Sequence, residues 1–146
     1  MPLPDWNSDG DLPAGVYPAT IGEVLARFSA RAGQRKYLTS QLSQIYQLAR
    51  ATGKLDRLIL FGSYVTAKPE PNDIDIVLIM RDDFELYAFD GTTRTLFDHL
   101  LAASTLGASI FWIRPAMLLG GTLEEFIAHW QIKRNGMLRG IVEVRA

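Results

Sequence analysis

The chain has 146 residues, 48% hydrophobic and 21% charged, so it suits one domain with a buried core and is too apolar for a disordered chain. Fifteen basic residues against sixteen acidic ones leave a formal charge of -1, which argues against the clustered basic face of a dedicated duplex-DNA binder. Cysteine is absent, excluding disulfides and thiolate metal sites. The longest unbroken apolar run, Ile76 to Met80, is far short of the roughly 20 residues that cross a bilayer. The first residues, MPLPDWNSDGDLPAG, have neither the basic start nor the apolar stretch of a secretory signal. A cytoplasmic protein without membrane or duplex-DNA partners is the expectation.

Residues 1–19 are rich in Pro, Gly and Asp and are expected to form an extended arm, pinned to the body by Trp6, Leu12, Val16 and Tyr17. Thr20 and Glu23 have capping-box spacing, and Ile21, Val24, Leu25 and Phe28 fall on one helical face, with Gly33 as the terminator. A second helix is expected from about Tyr37 to Thr52, closed by Gly53. Arg57 to Phe61 has a buried-strand pattern, Gly62-Ser63 interrupts it, and Asp73 to Met80 forms a second strand after the turn-rich segment Lys68 to Asn72. Phe84 to Phe89 is a candidate edge strand. Thr95 to Leu106 is predicted as one helix, with Leu96, Leu100 and Ala103 inward. Ala108 to Ile113 is a strand, and a further helix starts at Thr122, with a capping box to Glu125 and Leu123, Phe126, Ile127 and Trp130 inward. Asn135-Gly136 turns the chain into a closing strand, Ile141 to Val144. With no repeat and no linker, residues 1–146 are expected to form a single α/β or α+β domain, a small mixed sheet with helices packed on it.

The chemistry concentrates between Leu58 and Met80, LILFGSYVTAKPEPNDIDIVLIM. Gly62 has no Cβ, so a ligand can approach the main chain closely. Ser63 adds a hydroxyl and an amide, which together suit phosphate oxygens. Nine residues separate Ser63 from Asp73, and Asp75 follows two residues later. Side chains at i and i+2 of a strand share a face, so two like charges stand side by side and call for a cation, chiefly a hard divalent ion. Each half alone has a plainer reading: Gly62-Ser63 as a tight turn, and Asp73 and Asp75 as a solvated strand start. Together they form the minimal apparatus for a nucleoside triphosphate and for metal-assisted nucleotidyl transfer.

Gly62-Ser63, the nine-residue spacer and Asp73-Ile-Asp75 within an apolar strand resemble the signature of the nucleotidyltransferase superfamily, the DNA polymerase beta-like fold. The wider stretch, LPAGVYPAT and GSYVTAKPEPNDID, is similar to small stand-alone bacterial nucleotidyltransferase-like proteins. The resemblance implies that Gly62 and Ser63 seat the triphosphate, and that Asp73 and Asp75 bind Mg2+ (or Mn2+) and serve catalysis. An NMP would then pass from an NTP to a hydroxyl of a protein, RNA or small-molecule acceptor. Some proteins it resembles act as antitoxins by nucleotidylating a toxin. Members of the superfamily usually supply a third carboxylate from a later strand, here ASIFWI, which has no acid; Ser109 stands at the suspected position. The substitutes considered are Asp82, Asp83 and Asp98. A catalytically impaired nucleotide-binding or partner-binding module on the same fold is the alternative.

Lys68, Arg81 and Arg114 flank the motif strands and are candidate phosphate neutralisers, or else exposed solubilising charges. His99 and His129 lack partners at metal-ligand spacing and are expected on the surface or partly packed. Phe111 and Trp112 fall on opposite strand faces, one toward the core and the other free to border a base or a partner.

Overall fold

The computed structural model describes residues 3–146, so the first two residues of the expected arm lie outside the described residues. Five strands build one sheet: β1 (Val16–Ala19), β2 (Leu55–Phe61), β3 (Ile74–Met80), β4 (Ala108–Ile113) and β5 (Ile141–Arg145). Their order is β1-β5-β2-β3-β4, with β2 antiparallel to both neighbours and the outer pairs β1/β5 and β3/β4 parallel. This is a mixed α+β architecture. Among the described residues no helix is long and apolar enough to cross a membrane.

β3 is the centre of the architecture because nearly every residue in it is apolar, as befits a strand covered on both faces. Period-two alternation then sorts its side chains. Ile74, Ile76, Leu78 and Met80 join Leu58 and Leu60 of β2 in the larger core. The helices α1 (Ile21–Phe28) and α2 (Gly33–Ala51) contribute Val24, Phe28, Leu38, Leu42 and Ile45 to that core. Val77 and Ile79 point the other way, into a smaller cluster with Ile59, Ile141 and Ile127, the last from the short helix α5 (Leu123–His129). Among the described residues, this seven-residue helix covers the apolar cluster of the second face, and the start of β3 instead borders a cleft on that side.

The capping boxes at Thr20 and Thr122 form as expected, each threonine side chain accepting from the amide three residues on. Several boundaries differ. The first helix stops at Phe28, and Gly33, with φ 80°, opens α2 instead of closing α1. The arm is not merely extended, because its last four residues pair with β5 as β1. Phe84 to Phe89 is not a strand: Leu86–Ala88 is a 3₁₀ turn, and Phe84 is drawn into an aromatic cluster with Phe89, Phe97 and Trp112. The helix expected over Thr95 to Leu106 is two, α3 (Gly91–Thr95) and α4 (His99–Leu106). The break arises because Asp98 leaves helical geometry to accept from the Leu101 amide as an N-cap. That restart rotates the face: Leu96 is buried, but Leu100 is 80% exposed and Ala103 is exposed too, while Ala102 and Leu106 point inward.

Candidate functional site

A register pairing of Phe61 in β2 with Asp75 in β3 brings the end of one strand to the start of the next. Between them the chain passes through Gly62 with φ 75° and ψ -162°, a region essentially restricted to glycine. A Cβ at Gly62 would collide with the Asp75 carboxylate, so the glycine is required both by its torsions and by the acid packed on it. Ser63 then opens a 3₁₀ turn, Ser63–Val65, whose Ser63 carbonyl accepts from the Thr66 amide and hydroxyl.

The loop from 62 to 68 is held from below by Arg35 of α2, a buried arginine whose guanidinium donates to four carbonyls. Nη1 reaches Phe28 O at 3.2 Å and Tyr64 O at 2.7 Å; Nη2 reaches Thr66 O at 3.1 Å and also Lys68 O. The Tyr64 hydroxyl lies 2.6 Å from Thr39 Oγ1, and the Trp6 indole of the arm donates to Val65 O at 3.1 Å. Arg35→Lys removes the planar fork and leaves carbonyls unpaired. It is expected to lower unfolding free energy by about 2 kcal/mol in a urea titration, with no effect on helix content in the remaining folded state.

One cleft of about 620 Å3 opens at this corner. Gly62, Ser63, Lys68, Asp73 and Asp75 all line it, so every residue singled out for the site converges there. Asp73 lies in the turn just before β3 rather than in the strand, and Asp75 is the strand's second residue. Neither carboxylate has an ion-pair partner among the described residues. Burial, and next the neighbouring Asp73, push the Asp75 carboxyl up to about 6, against the opposing pull of Arg134 and Arg139. A carboxylate held at that value, in a cleft and beside a like charge, is a candidate functional group.

On the parallel neighbour β4 the register partner of Asp75 is Ser109, so the acid-free position beside the pair is where it was expected. The substitute acids do not fill it. Asp98 caps α4; Asp82 accepts from the Ala116 amide and Asp83 pairs with Lys54, both beyond the far end of β3. Seven residues of strand rise separate Asp75 from Asp82, roughly 23 Å at about 3.3 Å each. Among the described residues no three His, Cys, Asp or Glu side chains are grouped to hold a metal. Two carboxylates remain, and two oxygen ligands with phosphate oxygens and water suit a magnesium ion that keeps much of its own shell.

The family model described as "Family of unknown function (DUF6932)" matches residues 4–145. The chain belongs to this family. No curated protein and no solved structure matches it.

Of the flanking cations in this DUF6932 chain, only Lys68 reaches the cleft. Arg81 sits near Asp83 at 3.6 Å, and Arg114 donates to Phe84 O at 2.8 Å and lies over Trp112, both away from the acids. His99 Nδ1 lies 3.1 Å from Ile110 O with its ring against Phe111, and His129 is exposed at the end of α5. Trp112 packs into the main core, whereas Phe111, 40% exposed, faces the cleft side and meets Trp130 at 5.3 Å between centroids. Trp130 also contacts Phe61 at 4.7 Å and lines the cleft, so the residue assigned to the core forms part of an aromatic border beside the acids. Three lining cations were not anticipated: Lys133, Arg134 and Arg139. They lie about sixty residues from the Asp pair in sequence, beyond the reach of any local motif, and the pairing of Asn135-Gly136 with nearby cations was the only available signal.

Proposed function

We propose that the cleft binds the magnesium complex of a nucleoside triphosphate, in the manner of a nucleotidyltransferase. The observation that carries this reading is that Gly62, Ser63, Lys68, Asp73 and Asp75, spread along the connection from β2 into β3, line one concave surface. The Gly62-Ser63 corner, with the Ser63 hydroxyl and amide, seats phosphate oxygens, and Lys68 offsets their charge. Asp73 and Asp75 would hold Mg2+ (or Mn2+), which would supply Lewis-acid neutralisation of phosphate charge. The aromatic edge formed by Phe61 and Trp130 offers a stacking surface for the base. In the full reaction an acceptor hydroxyl of a protein, RNA or small molecule bonds the α-phosphorus, its proton passes to solvent, and the bond to the β-phosphate oxygen breaks so that pyrophosphate leaves; a partner toxin is one such acceptor.

A second reading is favoured by Ser109. A serine neither takes the acceptor's proton efficiently nor bridges metals, so its place beside Asp75 fits a module that binds nucleotide without transferring it. One assay separates the two. The protein is incubated with labelled ATP, CTP, GTP or UTP, magnesium and cell extract, alongside the Asp73→Ala/Asp75→Ala variant. Label transfer that depends on both aspartates supports the transferase; magnesium-dependent binding without transfer supports the module. Binding that survives in the double variant overturns the site.

A further inference from the structure

The cleft collects four cations, Lys68, Lys133, Arg134 and Arg139, against two carboxylates, in a chain whose formal charge is -1. Three of the four come from one hairpin after α5. Its turn is closed by Lys133 N to Met137 O at 2.8 Å and Gly136 N to Lys133 O at 2.9 Å, and its two arms meet through an isolated bridge, Ile132 to Leu138, and Arg139 N to Gln131 O at 2.8 Å. Asp11, behind the lining, pairs with two of the four, so the local balance is four cations against three carboxylates, and three of those cations belong to one hydrogen-bonded element.

Two of these cations are aimed by the N-terminal arm. Asp11, 5% exposed, accepts from Lys133 Nζ through Oδ2 at 2.8 Å and from Arg139 Nε through Oδ1 at 2.8 Å. The arm is itself tied to the hairpin region, Gly15 N donating to Gln131 Oε1 at 2.6 Å and Gly140 N to Leu12 O at 2.9 Å. Engaging an arginine through Nε leaves its two terminal nitrogens as donors, and neither has a protein hydrogen bond among the described residues. Lys133 keeps two of its three protons, and Arg134 has no ion-pair partner among the described residues. A guanidinium fixed at one edge and open at the other is preorganised for the paired oxygens of a phosphate.

We propose that this hairpin is a polyphosphate-binding wall and that Asp11 is the positioning residue that presents two of its cations to the ligand. The proposal deepens the nucleotide reading by assigning the phosphate tail to residues 133–139, and it rests on that reading only for what the tail is attached to. Its chemistry requires neither base nor metal, which allows it to be tested alone.

The test is calorimetric titration of the full chain with inorganic tripolyphosphate in EDTA, at low and moderate salt. The wild type is expected to bind, with affinity falling as salt rises. Arg134→Gln, which breaks no ion pair, should weaken binding about five- to tenfold, and Lys36→Gln on α2 should leave it unchanged. Asp11→Asn distinguishes positioning from charge. Removing a negative group beside an anion site strengthens binding if only the field matters, whereas loss of aim weakens it, and a drop of about fivefold or more is expected. Absence of binding in the wild type, equal losses in Arg134→Gln and Lys36→Gln, or tighter binding in Asp11→Asn would overturn the proposal. Should Asp11→Asn fail to fold, Lys133→Gln and Arg139→Gln replace it, and unchanged affinity in both overturns the assignment. Tripolyphosphate binding without any magnesium-nucleotide binding leaves the wall standing and sinks the nucleotide reading; aspartate-dependent nucleotide binding indifferent to Arg134 does the reverse.

Discussion

Asp75→Asn is expected to stabilise the protein above pH 6 while abolishing magnesium-dependent nucleotide binding. The carboxyl is held at about 6 in the folded chain by burial and by Asp73, against about 3.9 for a free aspartate. A carboxyl raised on folding contributes stability that is whole below pH ~4 and is lost as pH climbs through ~6, because folding then forces a charge into a desolvated place. Asparagine has no such charge. After allowance for solvent screening, the gain at pH 8 should be about 1–2 kcal/mol, or roughly 5 °C in melting temperature, and should vanish below pH ~4. The same substitution should cost at least about 100-fold in affinity for a magnesium nucleotide, since a ligand oxygen carrying charge is lost. Wild-type affinity should itself fall toward tenfold per pH unit below about 6, as protons compete for Asp75. Melting curves at pH 4, 6 and 8 and titration with magnesium nucleotide check both halves. A variant less stable than wild type at pH 8 would contradict the buried, repelled carboxylate.

Gly62→Ala should damage fold and site together. Alanine resists the backbone at φ 75° and ψ -162°, and its methyl would strike the Asp75 carboxylate. Strain and collision together should cost about 3 kcal/mol, roughly 10 °C in melting temperature. Whatever remains folded must swing Asp75 away from Ser63, so magnesium-dependent nucleotide binding should be undetectable. Combining it with Asp75→Ala, which removes the carboxylate the new methyl would strike, gives a sharper check, because two contacting residues should be non-additive. A double variant losing as much stability as the two single effects sum to would show that the glycine and the acid do not touch.

How much of this was legible in advance varies with the range of the forces involved. The capping boxes at Thr20 and Thr122 form as spaced because a cap is satisfied within three residues. The same locality explains β2 and β3, whose apolar runs Leu58 to Leu60 and Ile76 to Met80 can be buried only in a covered sheet. It also explains why Gly62-Ser63 and Asp73-Asp75 could be paired, since a hairpin-like return of β3 along β2 is the short way to connect them. The failures lie where tertiary contacts outweigh local pattern. Helical periodicity runs unbroken through Asp98, yet capping a new helix there turned Leu100 to solvent. Phe84 to Phe89 has strand composition, but its rings are spent on Phe97 and Trp112 rather than on a ladder.

By itself, then, the sequence determined the helices that cap themselves, the central strands and the glycine-serine and aspartate pieces of the cleft, all of which depend on neighbours a few residues apart. Only the tertiary structure decided what surrounds those pieces. It set Ser109 beside Asp75 through strand register, removed Asp82, Asp83 and Asp98 to distant duties, and brought Lys133, Arg134 and Arg139 to the cleft under the hold of Asp11. The physical reason is that charge acts through space: a residue more than a hundred positions away along the chain can orient a cation at 2.8 Å, and no period or spacing records that contact.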